Sequence, residues 1–283
     1  MRAHGELIEV PGAGATDHIC WVYDQDDATF DRAVRRFLAG GLARGDRLLC
    51  IGERVLACLA VEDDDFAGAD ALLGSGALRT MTTRQAYEAT GVFAAGTQLA
   101  YYRAATEAAL ADGFTGLRVV ADVSPLAADP GVREELVRWE HVADSFAASG
   151  AGFTAMCAYS AELTAEALTE VASVHPLAHV SAEPTFRVFF DDDRVALSGS
   201  VDTFSADRLA RVLESSPVSG DGAVLDLARV EFVDVAASRV IARWARDLDA
   251  RSLPLEVQGA SPVLRRMWRV LGLADVAGVR FAA

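Results

Sequence analysis

The chain has 283 residues, 52% hydrophobic and 24% charged, with a formal net charge of −15. That is globular composition with room for about two domains, and so acidic a balance disfavours nucleic acid and anionic membrane, both of which need clustered basic side chains. All 26 basic residues are Arg; without any Lys there is no P-loop amine for nucleotide phosphates and no amine for Schiff-base chemistry, so both enzyme classes are excluded.

The charge is unevenly spread. Residues 1–183 hold 13 Arg against 27 Asp/Glu, a net of −14, and residues 184–283 hold 13 Arg against 14, a net of −1. Two units with different surfaces are expected. No window reaches about 18 consecutive apolar residues, and the first ten residues carry charges where a signal peptide needs an apolar core, so a cytoplasmic protein is expected. Cys20, Cys50, Cys58 and Cys157 stand among apolar neighbours without a C-x-x-C pair and read as buried small hydrophobes.

In chain order, residues 17–23 form a short apolar strand, followed by a helix over Ala28–Leu42 with apolar residues at 3.6-residue spacing. Arg47–Ile51 is a strand apolar on both faces. Val55–Leu59 begins a helix, and the acidic run Glu62–Asp65 is a solvated surface. Leu78–Thr82 is a weak strand, and Thr97–Ala111 a helix ending at Asp112-Gly113. Leu117–Ala121 is a strand with Asp122 at its carboxyl end. Pro130–Ala148 is a helix, Gly152–Tyr159 a strand and Thr164–Ser173 a helix. Strands alternating with helices imply a mostly parallel sheet. The two prolines in His175–Thr185 mark a connecting segment. Phe186–Phe190 and Val195–Gly199 form a hairpin around an acidic turn. Ser205–Glu214 is a helix with Ser205 as N-cap. Val224–Leu227 is a strand, joined by a short loop to a helix that Asp234 opens. Pro254–Gln258 is a strand and Pro262–Leu271 a helix.

The last hundred residues carry LSGSVDTFSADRL (Gly199, Asp202), VLDLARVEFVDVAAS and ASPVLRRMWRVLGLADV in order. Together these resemble a STAS domain of the anti-sigma-factor-antagonist kind. In that family an Asp at the start of the signalling helix is followed by hydroxyl residues that are phosphorylated. Here Asp234 is followed by Val235, Ala236 and Ala237, so the switch hydroxyl is missing. Ser238 lies about one turn inside the helix, as an ordinary helix Ser does. The resemblance implies partner docking through Asp202, Asp234, Val235, Ala236 and Ser238, with an anti-sigma factor or a histidine-kinase-like ATPase domain as partner.

The first half resembles the methanogen/methylotroph sensory (MEDS) family. The matching residues are His18, Cys20, Tyr23, Phe37, Leu38, Gly41, Leu42, Gly45 and Asp46, then MTTRQAY with Gly91 and Phe93, GLRVVADVS, the Glu140 helix, Cys157–Tyr159 and His175-Pro176. The family often carries a D-R pair after C-x-Y, where this chain has Ser160-Ala161. The resemblance implies a RecA-like α/β core that has lost its phosphate loop. The acidic stretch Tyr23–Asp27 stands where a glycine-rich loop would be, and it would repel phosphate. In such sheets ligands bind outside the carboxyl ends of strands. That rule points to Tyr23, Asp24, Glu53, Asp122 and Tyr159, with Ser124 and Ser160 beside them, and the resemblance adds His18, Glu140 and His175 to the expected ligand-binding residues.

Sharper chemistries weigh less. His18 and Cys20 lie side by side on one strand face, not facing as a nucleophile–base pair must. His175 and His179 could share a metal only on a helix that Pro176 opposes. Asp122 and Glu140 could pair for acid–base work, against an Asp at a strand–loop junction and a solvated helix Glu.

The expectation is thus an α/β protein. A MEDS-like sensory domain (1–180), with a RecA-like mostly parallel sheet, joins a smaller STAS-like α/β domain (186–283) through a linker (181–185). It is expected to be a regulator, not an enzyme, with no cofactor and no metal, and with a small-molecule ligand and a homodimer as further candidates. The alternative is a small hydrolase or transferase using strand-end carboxylates near Asp122.

Overall fold

The structure, a computed structural model, describes residues 2–8, 18–24, 27–60, 66, 68–87, 92–218, 220, 222–273 and 279–282. The acidic run Glu62–Asp65, residues Gln25 and Asp26 of the acidic stretch, and Gly91 lie outside the described residues. In chain order the elements are β1 (Gly5–Glu6), β2 (His18–Tyr23), α1 (Ala28–Arg44), β3 (Arg47–Ile51), α2 (Glu53–Leu59), α3 (Ala69–Ser75), β4 (Leu78–Met81) and α4 (Thr83–Tyr87). Next come α5 (Ala95–Ala111), β5 (Leu117–Asp122), α6 (Ser124–Ala128), α7 (Pro130–Ala148), β6 (Phe153–Ser160), α8 (Ala165–Ala172) and β7 (Leu177–His179). The second unit holds β8 (Phe186–Asp191), β9 (Arg194–Val201), α9 (Ala206–Ser215), β10 (Ala223–Val233), α10 (Val235–Asp249), β11 (Leu255–Gln258), α11 (Pro262–Val270) and β12 (Val279–Phe281).

The first sheet has seven strands in the order β1-β7-β2-β6-β5-β3-β4, all pairings parallel. A parallel sheet needs helical crossovers, which cover both faces and force strands that are apolar throughout. β3 and β5 accordingly bury every residue. One face packs α1 and α2 around Phe30, Phe37 and Leu38, the other α5 and α7 around Tyr102, Trp139 and Phe146. Helix α1 is opened by Asp27, whose carboxylate accepts from the Thr29 and Phe30 N–H groups, and closed by Gly45 at φ 84°.

The second sheet runs β12-β11-β10-β9-β8, antiparallel only between β8 and β9. Gly199 of β9 has φ +83°, and a Cβ there would lie 2.5 Å from the Thr185 carbonyl oxygen. Gly199→Ala is expected to cost about 3 kcal/mol from left-handed strain plus a backbone clash. Urea denaturation showing a loss under about 1 kcal/mol would contradict this.

Three expectations are corrected. Leu177–His179, expected within the connecting segment, is β7, inserted between β1 and β2. Pro176 stands just before it, where the missing N–H costs no ladder bond. The loop expected after Leu227 is strand: β10 runs on to Val233, with register irregularities at Asp226/Arg229 and Val230/Phe232 that absorb its polar residues. Ser205 precedes α9 as expected but makes no capping bond to that helix; its hydroxyl donates to Asp202 Oδ1 instead (2.8 Å).

The two units share a seam built on α7. Besides packing on its own sheet, α7 contacts β8 and α9. His141 Nε2 meets Ser216 Oγ at 2.8 Å, the Val188 N–H donates to Ser173 O, and Arg187 donates to the carbonyls of Ala172 and His175.

Candidate functional site

A fully buried polar cluster lies beneath the first sheet, where α7 crosses β2 and β6. The period of two along β6 turns Cys157 and Tyr159 to one face, and α7 presents Glu140 from its inner side, between Leu136 and Ala143. Glu140 Oε2 lies 3.0 Å from His18 Nε2 and 3.5 Å from His175 Nε2, and it accepts the Cys157 thiol at 3.1 Å. Its Oε1 accepts the Tyr159 hydroxyl at 2.8 Å. The His18 and His175 rings stack at 4.1 Å. His175 Nδ1 donates to Val171 O at 2.8 Å, and His18 Nδ1 lies 3.6 Å from Asp144 Oδ1.

Charge in this dry environment is set by proximity. Burial works against the His18 cation, but bonding to Asp144 and Glu140 outweighs it and raises its pKa. Burial also opposes the Glu140 anion, yet His175 and His18 hold it well below the usual carboxylate range. His175 is lowered by burial and by the His18 charge. Burial and the nearby Glu140 push the Cys157 thiol and the Tyr159 phenol up. The two carboxylates thus favour the charged form of His18, whereas burial and that charge disfavour it for His175, and Cys157 and Tyr159 are held toward their neutral forms.

The expected strand-end site is a separate place. At the carboxyl ends of β2 and β5, Tyr23 donates to Asp122 Oδ2 (3.1 Å) and Ser124 Oγ donates to Asp122 Oδ1 (2.6 Å). The Ser160 N–H caps this network by donating to Ser124 Oγ at 2.8 Å. Burial pushes the Tyr23 phenol up to about 12. Gly52 lets the chain pass close by, since a Cβ there would meet Asp122 Cβ at 2.8 Å. Glu53 and Asp122 line an open cleft of about 470 Å³ with Thr83, Arg84 and Tyr87. Asp24 is exposed at the end of β2.

The eight expected ligand residues thus divide. Tyr23, Asp122, Glu53 and Asp24 lie at the strand ends, whereas His18, Glu140, Tyr159 and His175 close on one another in the core. The expectation of a solvated Glu140 is overturned, since its side chain is 0% exposed. Glu140 also does not pair with Asp122, because each carboxylate has its own partners. Sequence reasoning missed Cys157 and Asp144 as members of the cluster. Their signal was an i, i+4 pair of carboxylates, Glu140 and Asp144, on the apolar side of α7. It also missed the seam between the units, where a cleft of about 620 Å³ runs between Phe146 and Ser149 on one side and Phe190 and Val195 on the other.

On the second unit Asp234 is the N-cap of α10, accepting the Ala237 N–H at 2.9 Å. Its other oxygen accepts the Thr203 hydroxyl at 2.8 Å, which ties the β9–α9 loop to the helix start. Burial is a slight cost to this carboxylate, but those donors hold it below its usual range. Asp202 folds its own loop by accepting the Phe204 and Ser205 N–H groups. Val235 is exposed and Ala236 half-buried. Ser238, grouped with them from the sequence, is corrected: it is 0% exposed and faces the core. Phe232 is 55% exposed and Phe204 96% exposed.

Among the described residues, no helix is long and apolar enough to cross a membrane. No curated protein matches the chain. A solved variant of Moorella thermoacetica RsbS is similar at 24% identity over 34% of this chain and 85% of that chain, with a TM-score of 0.28. The family model described as "Mlab, STAS domain" matches residues 186–279, and the one described as "MEthanogen/methylotroph, DcmR Sensory domain" matches residues 17–176. The chain therefore belongs to the MEDS family, its sensory domain joined to a C-terminal STAS domain.

Proposed function

We propose that this chain is a non-enzymatic cytoplasmic regulator. Its sensory domain, on binding a small ligand, changes how the STAS domain presents the Asp202/Asp234 face to an anti-sigma factor or a histidine-kinase-like ATPase domain. The observation that carries this is Asp144. One side chain stands 3.6 Å from His18 of the buried cluster and accepts the Phe190 N–H of the STAS edge strand at 2.6 Å. A rearrangement at the cluster thereby has a direct mechanical route to β8. Four free buried thiols suit a reducing compartment.

Phosphorylation is not the control in this scheme. Val235 and Ala236 have no hydroxyl, and the Ser238 hydroxyl is enclosed. Asp122 favours a structural role over acid–base work, because both its oxygens are taken up by Tyr23 and Ser124. The test is binding of the purified full chain to histidine-kinase-like ATPase domains from the same genome, measured by calorimetry. Asp202→Ala and Asp234→Ala together are expected to abolish the interaction. Undiminished binding by that variant, or phosphate on Ser238 after incubation with the ATPase and ATP, would overturn the proposal.

A further inference from the structure

We infer that His18, Glu140, Cys157 and His175 form a binding site for a single divalent transition-metal ion of the zinc class. One ligand atom from each of the four lies within 4.8 Å of all the others. Four of the six separations are 3.0 Å (His18–Glu140), 3.1 Å (Cys157–Glu140) and 3.5 Å (Cys157–His18 and His175–Glu140), and the other two are within 4.8 Å, a set that small side-chain shifts bring to tetrahedral zinc. Bonds of about 2.0–2.3 Å place donors roughly 3.3–3.8 Å apart. Two imidazoles, one thiolate and one carboxylate are borderline-soft donors that select zinc-like ions over magnesium or calcium.

Two independent features point the same way. His175 Nε2 is fully buried and makes no hydrogen bond of good geometry, its neighbour Glu140 Oε2 lying 3.5 Å away, while its Nδ1 is committed to the Val171 carbonyl. That leaves a lone pair aimed into the cluster. Two of the other ligands also have a polar group behind them: His18 Nδ1 lies 3.6 Å from Asp144 Oδ1, and Glu140 Oε1 accepts the Tyr159 hydroxyl. Carboxylate or carbonyl support behind each ligand is how metal sites fix imidazole orientation and tautomer.

A small cavity of about 10 Å³ adjoins His18, Glu140 and Cys157 on the side of Tyr87, Tyr102 and Trp139, with His175 outside its lining. That is room for about one water-sized particle and none for an organic ligand. Binding displaces the Cys157 thiol proton and any proton on the imidazole nitrogens that coordinate, so uptake is linked to proton release.

The inference does not depend on the regulatory proposal, and its test uses no partner. The purified full chain, reduced and freed of metal by chelation during unfolding, is refolded with Co²⁺ as the probe. One equivalent is expected to bind, with the visible absorption of tetrahedral cobalt and a thiolate-to-cobalt charge-transfer band, both displaced by Zn²⁺. Cys157→Ser is expected to lose the charge-transfer band and to bind at least tenfold more weakly. His175→Gln is expected to bind at least tenfold more weakly while keeping the band, which preserves the test should the first variant fail to fold. A refolded chain that takes up no Co²⁺, or variants that match the parent in spectrum and affinity, would overturn the site.

Discussion

Asp144→Ala is expected to destabilise the protein by about 3–5 kcal/mol, the cost of removing one partner from a buried charged network. The side chain is 0% exposed. It accepts Arg2 Nη1 at 2.7 Å and the Phe190 N–H at 2.6 Å, and it faces His18 at 3.6 Å. Truncation leaves a partly buried guanidinium with only the Phe190 carbonyl, the buried His18 ring without its Asp144 neighbour and an orphaned backbone donor in one place. Asp144→Asn keeps an acceptor for Phe190 but no charge, so it should fall between parent and Ala variant. Urea denaturation measures the total. Hydrogen exchange localises it, because the Phe190 amide should exchange faster than its β8 neighbours. A loss under about 1 kcal/mol, with Phe190 still protected, would show that Asp144 does not join the units.

The second large effect is on binding. Phe204→Ala is expected to weaken docking to the ATPase or anti-sigma partner by about 2 kcal/mol, roughly 30-fold, the size typical of an aromatic anchor at an interface. Phe204 is 96% exposed on a loop braced by Asp202 and joined to the Asp234 helix through Thr203. Nothing in the fold requires an aromatic ring in water at that point. Because its side chain packs on nothing, the same change should leave stability within about 0.5 kcal/mol. Calorimetric titration of parent and variant, with thermal melts as control, separates the two effects. Equal affinity would remove Phe204 from the interface and shift attention to Phe232, also exposed beside this face.

The α/β alternation, the apolar strands β3 and β5, the span of α7 and the capping role of Asp234 follow from local signals: continuous apolar runs, 3.6-residue spacing and a short carboxylate ahead of a helix. Those signals depend on neighbours in the chain, so the sequence by itself determined them. The absence of Lys and of a hydroxyl after Asp234 likewise needed no coordinates to exclude whole chemistries. What only the tertiary structure decided is which of the candidate residues meet. His18, Glu140, Cys157 and His175 span 158 positions of sequence, from 18 to 175. They converge because β2 pairs with β6 and β7 inserts beside β2. Strand order is set by long-range packing, which no local pattern encodes. The same holds for Ser238 and Phe232. Which side of α10 and of the irregular β10 faces the core depends on how helix and sheet pack. That packing buried the hydroxyl and left the ring in water.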